Sequence, residues 1–247
     1  MVDEVLTLAD LREYLQQSAD EKNAAFSAKL APGVDTSRFL GVRVPLLRAL
    51  VKNVRKQGEQ GTALVQSFLA DVPHTYIEED ELHMMFLNEL RDVDQFVAGL
   101  EAFFPYVDNW MVSDACGPKF RGEKLIQLEP HLQRWLTSAD TYVARCGALI
   151  LMQDYLGDRF RKEHLMWVAT MPSDDYYAHM MIGWYFATAL AKQPDETWPV
   201  FVDPAAAKVP IPSRARKMAI QKSIESRRIP EDRKEALRAI RTTLKKK

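Results

Sequence analysis

Apolar residues recur along most of the chain at intervals of three and four, and no stretch alternates cleanly between apolar and polar. The pattern therefore predicts helices and no sheet. Thr7-Leu8-Ala9-Asp10 has the layout of a capping box and opens a first helix running to about Gln17. A second helix ends near Leu30, ahead of Ala31-Pro32-Gly33. Pro45 suits the first turn of a third, Leu46 to Gln57, which Gly58 stops. Further helices are predicted over about 61–70, 76–91, 93–105, 108–116, 119–127, 129–137, 140–156, 160–171, 173–192, 196–202, 213–227 and 230–244. Their connections are short and rich in Pro, Gly and Asp, as in Asp71-Val72-Pro73, Gly117-Pro118, Gly157-Asp158, Met171-Pro172-Ser173 and Pro210-Ile211-Pro212. Short links between many helices imply antiparallel pairs stacked in sequence. No strict repeated motif is present, and no composition shift marks an internal boundary, so residues 1–247 read as one domain.

Composition fits a globular chain: 47% hydrophobic residues can build a core, and 27% charged residues do not make a disordered one. The acidic start Met1-Val2-Asp3-Glu4 has no apolar signal segment. The longest apolar run, Tyr176 to Ala191, is too short to span a bilayer and holds His179, so it is expected to be a buried helix. Cys116 and Cys146 form neither a disulfide framework nor a zinc spacing, which fits a reducing, cytoplasmic setting. The net charge is only −1, yet Ser213 to Lys247 carries 13 Lys and Arg against 4 Asp and Glu, a net +9, which leaves −10 on the rest. Such an end is either an anion-binding surface or a solvated terminal helix.

Several chemistries lack their residues. No Gly-rich phosphate loop, His-Glu-x-x-His pair or Gly-x-Ser-x-Gly elbow occurs, and His74, His83, His131, His164 and His179 never fall at ligand spacing. Neither a metal nor a nucleotide cofactor is expected. Three segments place polar or aromatic groups where periodicity expects the interior. Trp110 and Asp114, four apart, share a helix face with Val107. A carboxylate on an apolar stripe needs a partner or a purpose. Arg145 begins the stripe of Ala148, Leu149, Met152 and Leu156, where a guanidinium requires a carboxylate or a phosphate. Trp184 shares a face with Tyr177, Met180 and Met181. Two readings are open: an internal Asp114–Arg145 ion pair with both tryptophans as core, or a functional site.

At these same residues the chain resembles the AlkD-like DNA alkylation-repair family. Leu40-Gly41-Val42-Arg43-Val44-Pro45-Leu46-Leu47-Arg48 is similar to its early Gly-Val-Arg-x-Pro-x-x-Arg segment, and Asp108-Asn109-Trp110 through Asp114 to its Trp-x-x-x-Asp segment. Val143-Ala144-Arg145, Ile182-Gly183-Trp184 and the stretch from Ile220 to Ile229 match further segments in order. The resemblance implies an all-α superhelical solenoid of HEAT-like antiparallel helix pairs with a concave DNA-facing surface. It also implies a monofunctional glycosylase releasing cationic alkylated purines, N3-methyladenine or N7-methylguanine, from duplex DNA. Carried over, Asp114 is the catalytic carboxylate, Trp110 and Trp184 pack against the deoxyribose, and Arg145 binds backbone phosphate. Arg43 and Tyr177 join the DNA-binding set, as do the basic Arg214, Arg216, Lys217, Lys222 and Arg227. The expected partner is double-stranded DNA with alkylated bases, bound by a monomer without metal or membrane. Asn109 departs from the tryptophan of the best-known glycosylases, and the C-terminal stretch resembles a sister branch. The rival readings are a non-catalytic HEAT-like module binding nucleic acid structure or a protein partner, and a pure scaffold.

Overall fold

Thr7 begins the first helix as its side-chain pattern dictates. Its hydroxyl accepts the Asp10 amide at 3.2 Å while its own amide donates to the Asp10 carboxylate at 2.9 Å. The computed structural model describes residues 7–172 and 175–245. The Met1–Glu4 stretch, Ser173 and the last two lysines of the tail lie outside the described residues. Among the described residues every regular element is helical. None of these helices is long and apolar enough to cross a membrane. They pack as two compact units, Met1–Phe120 and Arg121–Lys247.

In the first unit the elements are α1 (Leu8–Gln17), α2 (Glu21–Leu30), a short 3-10 turn (Thr36–Arg38), α3 (Val44–Lys56), α4 (Glu59–Ala70), α5 (Ile77–Leu87), α6 (Val93–Phe103) and α7 (Trp110–Asp114). Helix α3 buries Leu47, Leu50, Val51 and Val54, the spacing of a single helical face. Gly58, at φ +62°, turns the chain so that α4 returns along α3. Leu11, Leu15, Leu64, Phe68, Leu82 and Phe86 complete this core. Helix α5 packs on α3 and α7, and its first turn carries Glu78, Glu79 and Asp80, all buried. His74 and His83 lie in the same interior, Nε2 to Nδ1 at 2.9 Å. His83 stacks on Phe103 with centroids 3.7 Å apart. Burial lowers both imidazoles, His83 to about 3, so the pair is neutral.

The second unit comprises α8 (Glu123–Leu136), α9 (Thr141–Ile150) continuing into a π-helical turn (Leu151–Tyr155), α10 (Glu163–Ala169), α11 (Tyr176–Lys192), α12 (Pro194–Val202), α13 (Ser213–Glu225) and α14 (Glu231–Lys245). The sequence predicts two helices across 119–137, divided before Pro130; instead α8 runs through the proline. Pro130 sits on the exposed side beside the exposed Ile126, whose carbonyl loses its intrahelical donor where water can replace it. Helix α11 is the centre of the unit and packs against α9, α10, α12 and α13. Gly183 lets α13 approach: a Cβ there would lie 2.9 Å from that of Met218 and 3.2 Å from the Ala219 amide. His164, fully buried, lies 2.6 Å from the Glu129 carboxylate through Nε2, while its Nδ1 accepts the Arg161 amide at 3.3 Å. Both nitrogens therefore serve the fold.

Candidate active site

The segment from Asp108 to Asp114 forms a short helix because Asn109 caps it. Asn109 is extended, and its Oδ1 accepts the amides of Met111 at 2.9 Å and Val112 at 3.2 Å. Its Nδ2 donates to Asp108 Oδ1 at 2.8 Å, and the side chain is buried. Asn109 is thus the residue that starts α7. Trp110 follows, half-buried, with its indole Nε1 donating to the Leu30 carbonyl at the end of α2, 3.0 Å away. Asp114 lies one turn on and is also half-buried. Ser113, between them on the inner side, donates to the Trp110 carbonyl at 3.2 Å and approaches Asp114 Oδ1 at 3.5 Å. The carboxylate and the indole therefore share a face of one element.

The chain before α3 braces α7. Glu78 of α5 accepts the amides of Leu40 at 3.0 Å and Gly41 at 2.6 Å. Gly41 has φ +80°, and a Cβ there would sit 2.1 Å from the Asp20 carbonyl oxygen. This is why the Gly-Val-Arg segment has its glycine. Arg43, from the same segment, is exposed and pairs with Asp20 at 2.9 Å. Arg38 bonds Asp80 at 2.8 Å and also Asp108. Burial raises the Asp80 carboxyl to about 7 against the pull of Arg38. Glu81, next along α5, is pushed up to about 8 by burial, Glu78 and Asp80, all acting in one direction. The acidic run Glu78-Glu79-Asp80-Glu81 and Arg38 are absent from the residues singled out by sequence. The available signal was a block of four carboxylates beside Ile77 and Leu82.

In the second unit Arg145 is only 4% exposed, and its Nη1 donates to the Tyr177 carbonyl at 2.7 Å. It ties α9 to the first turn of α11, which Asp175 caps through the Tyr177 and Ala178 amides. Tyr142 and Tyr177 have ring centroids 6.3 Å apart. The Arg214 guanidinium lies 5.2 Å from the Tyr176 ring centroid. Trp184 is 38% exposed on a helix that otherwise buries Met181, Ile182, Tyr185 and Phe186. Arg216 donates to the Phe201 and Val202 carbonyls at 2.6 and 3.2 Å, closing the end of α12. Arg214, Lys217 and Arg227 are exposed, and Lys222 is half-buried. Among the described residues no group of three or more His, Cys, Asp or Glu side chains could hold a metal ion.

Trp110 and Asp114 thus stand on one short helix, and Tyr177 and Trp184 on α11, whose first turn Arg145 of α9 binds. The family model described as DNA alkylation repair enzyme matches residues 11–222, and the chain belongs to that family. The match runs from α1 into α13 and includes every site residue above except Arg227. No curated protein matches the chain. DNA alkylation repair is accordingly the process it serves, and DNA its partner.

Proposed function

We propose that the protein is a monofunctional DNA glycosylase that hydrolyses the N-glycosidic bond of cationic alkylated purines in duplex DNA, with Asp114 as its carboxylate. The observation that carries this reading is the shared face of α7, where a half-buried Asp114 stands one turn from an indole fixed by the Leu30 carbonyl. N3-Methyladenine and N7-methylguanine carry positive charge. When the bond from C1′ to the base nitrogen breaks, its electron pair neutralises that charge and the base leaves uncharged. The positive charge passes to the deoxyribose as an oxocarbenium ion. A held carboxylate stabilises that ion and orients the water that adds to C1′, and the proton water loses goes to the carboxylate or to solvent. The indole face of Trp110 adds cation–π attraction. Selectivity then comes from the lability of the cationic base, with no need to draw it into an extrusion pocket. On this reading Arg214, Lys217 and Arg227 contact phosphate, and Trp184 and Tyr177 contact the duplex. Arg145 and Arg216, both engaged with backbone carbonyls, hold the helices that carry them.

A second reading is a non-catalytic module that binds DNA structure. It draws support from Arg145, whose bond to the Tyr177 carbonyl makes the arginine part of the α9–α11 packing. The two part on one assay: purified protein is incubated with duplex DNA containing N7-methylguanine or N3-methyladenine, and free base is measured against a no-protein control. The glycosylase reading expects release above spontaneous loss. Release equal to the control on both lesions would leave the binding module.

A further inference from the structure

Helix α7 has five residues, too few to hold a helical conformation by its own hydrogen bonds. The direction in which Trp110 and Asp114 point must therefore be set from outside it. The Leu30 carbonyl fixes the indole edge. A second brace is a continuous chain of bonds that begins in the core. Asp80, 1% exposed on α5, accepts Arg38 Nη2 at 2.8 Å. Arg38 Nη1 donates to Asp108 Oδ2. Asp108 Oδ1 accepts Asn109 Nδ2 at 2.8 Å, and Asn109 Oδ1 takes the first amides of α7. The arginine is itself held, for it ends the 3-10 turn that Asp35 caps and stands two residues before Leu40, whose amide Glu78 binds together with that of Gly41.

We propose that Arg38 is the positioning residue of the site: by bridging Asp80 of α5 to Asp108, it fixes the orientation of α7 and so of Trp110 and Asp114. The function of that orientation rests on the glycosylase reading; the bridge itself does not. A guanidinium suits the task because it presents separate N–H groups in a rigid plane to two carboxylates, where an ammonium offers one point of charge. An ordinary surface ion pair contributes little. Here one end is buried, so losing the arginine leaves Asp80 without its cation and Asp108 without its anchor.

The test uses the full chain with the tryptophan indoles labelled with nitrogen-15. The Trp110 signal is assigned among the five tryptophans by Trp110→Phe. Arg38→Gln and Asp108→Asn are expected to shift the Trp110 indole signal and to speed its hydrogen exchange by about tenfold or more, while the other four stay in place. Single-turnover release of N7-methylguanine should fall by about tenfold with duplex affinity kept within about twofold, since a small misplacement costs rate before binding. Arg38→Lys should recover thermal stability without recovering the Trp110 signal, which separates bridging from mere charge compensation. The proposal is overturned if folded Arg38→Gln leaves the Trp110 signal unchanged, if all five indoles move together, or if lysine restores the signal. Should Arg38→Gln not fold, Asp108→Asn decides the matter, because its carboxylate is half exposed and its loss cuts only the outer half of the bridge. A wild type that releases no base would end the glycosylase reading, and the indole signals would still decide on the bridge.

Discussion

Asn109 illustrates how much depends on a single side chain: one oxygen satisfies two amides at the start of α7, and the nitrogen joins Asp108. An asparagine in that place is a helix cap. Glu81 is the residue whose chemistry is most open to measurement. Its folded pKa of about 8 lies above the ordinary glutamate value of 4.5, so the folded state keeps a proton that the unfolded chain releases. The associated stability is fully present below about 4.5 and is lost as pH rises through about 8. Glu81→Gln, neutral throughout, is expected to be more stable than wild type by about 1–3 kcal/mol at pH 8 and equal to it at pH 4.5. Denaturant unfolding at the two pH values checks this; the same difference at both would refute it. At this scale the sequence singles out Trp110, Asp114 and Trp184 as candidates, because each stands on a stripe that periodicity assigns to the interior. It conceals Arg38 and the run from Glu78 to Glu81. Carboxylates in the first turn of a helix are ordinarily solvated and favoured by its dipole, so nothing in the local pattern says that Glu78, Glu79 and Asp80 are buried.

Among the elements, the segment from Ala31 to Arg43 is held more firmly than its single 3-10 turn implies. Its end is seated by Glu78 and by Asn23, whose Nδ2 donates to the Gly41 carbonyl at 2.9 Å. Gly41→Ala should therefore cost about 2–4 kcal/mol, since both the positive φ and the approach to the Asp20 carbonyl exclude a side chain. A change below about 0.5 kcal/mol in denaturant unfolding, the range of an ordinary surface substitution, would show that the loop can shift without loss. Most helices were legible because their apolar spacing and their caps agree, as at Thr7, Asp92 and Asp140. The misplaced boundaries have physical causes. Pro130 marks a break only if its helix face is buried, and burial of a face is a tertiary property. Predicted as 108–116, α7 closes at Asp114, and the chain beyond it bonds to Asn88, whose Nδ2 donates to the Ala115 carbonyl and whose Oδ1 accepts the Gly117 amide.

Across the whole molecule, charge is unevenly spread, with +9 from Ser213 onward. The fold takes up part of it: Arg216 closes α12, Arg238 pairs with Glu231 at 2.7 Å, and Arg233 lies 5.6 Å from the Trp198 ring centroid. On the proposed reading the remainder meets DNA phosphate, and such contacts set affinity without touching the bond to be broken. Binding and chemistry are thus separable, and one substitution separates them. Asp114→Asn keeps the shape of the side chain and removes its charge. Wild type and variant should bind an N7-methylguanine duplex equally, while enzyme-dependent release of the base by the variant falls by about 10²–10³-fold, close to spontaneous loss. Equal release by Asp114→Asn and an active wild type would contradict the assignment of Asp114 as the carboxylate that does the work.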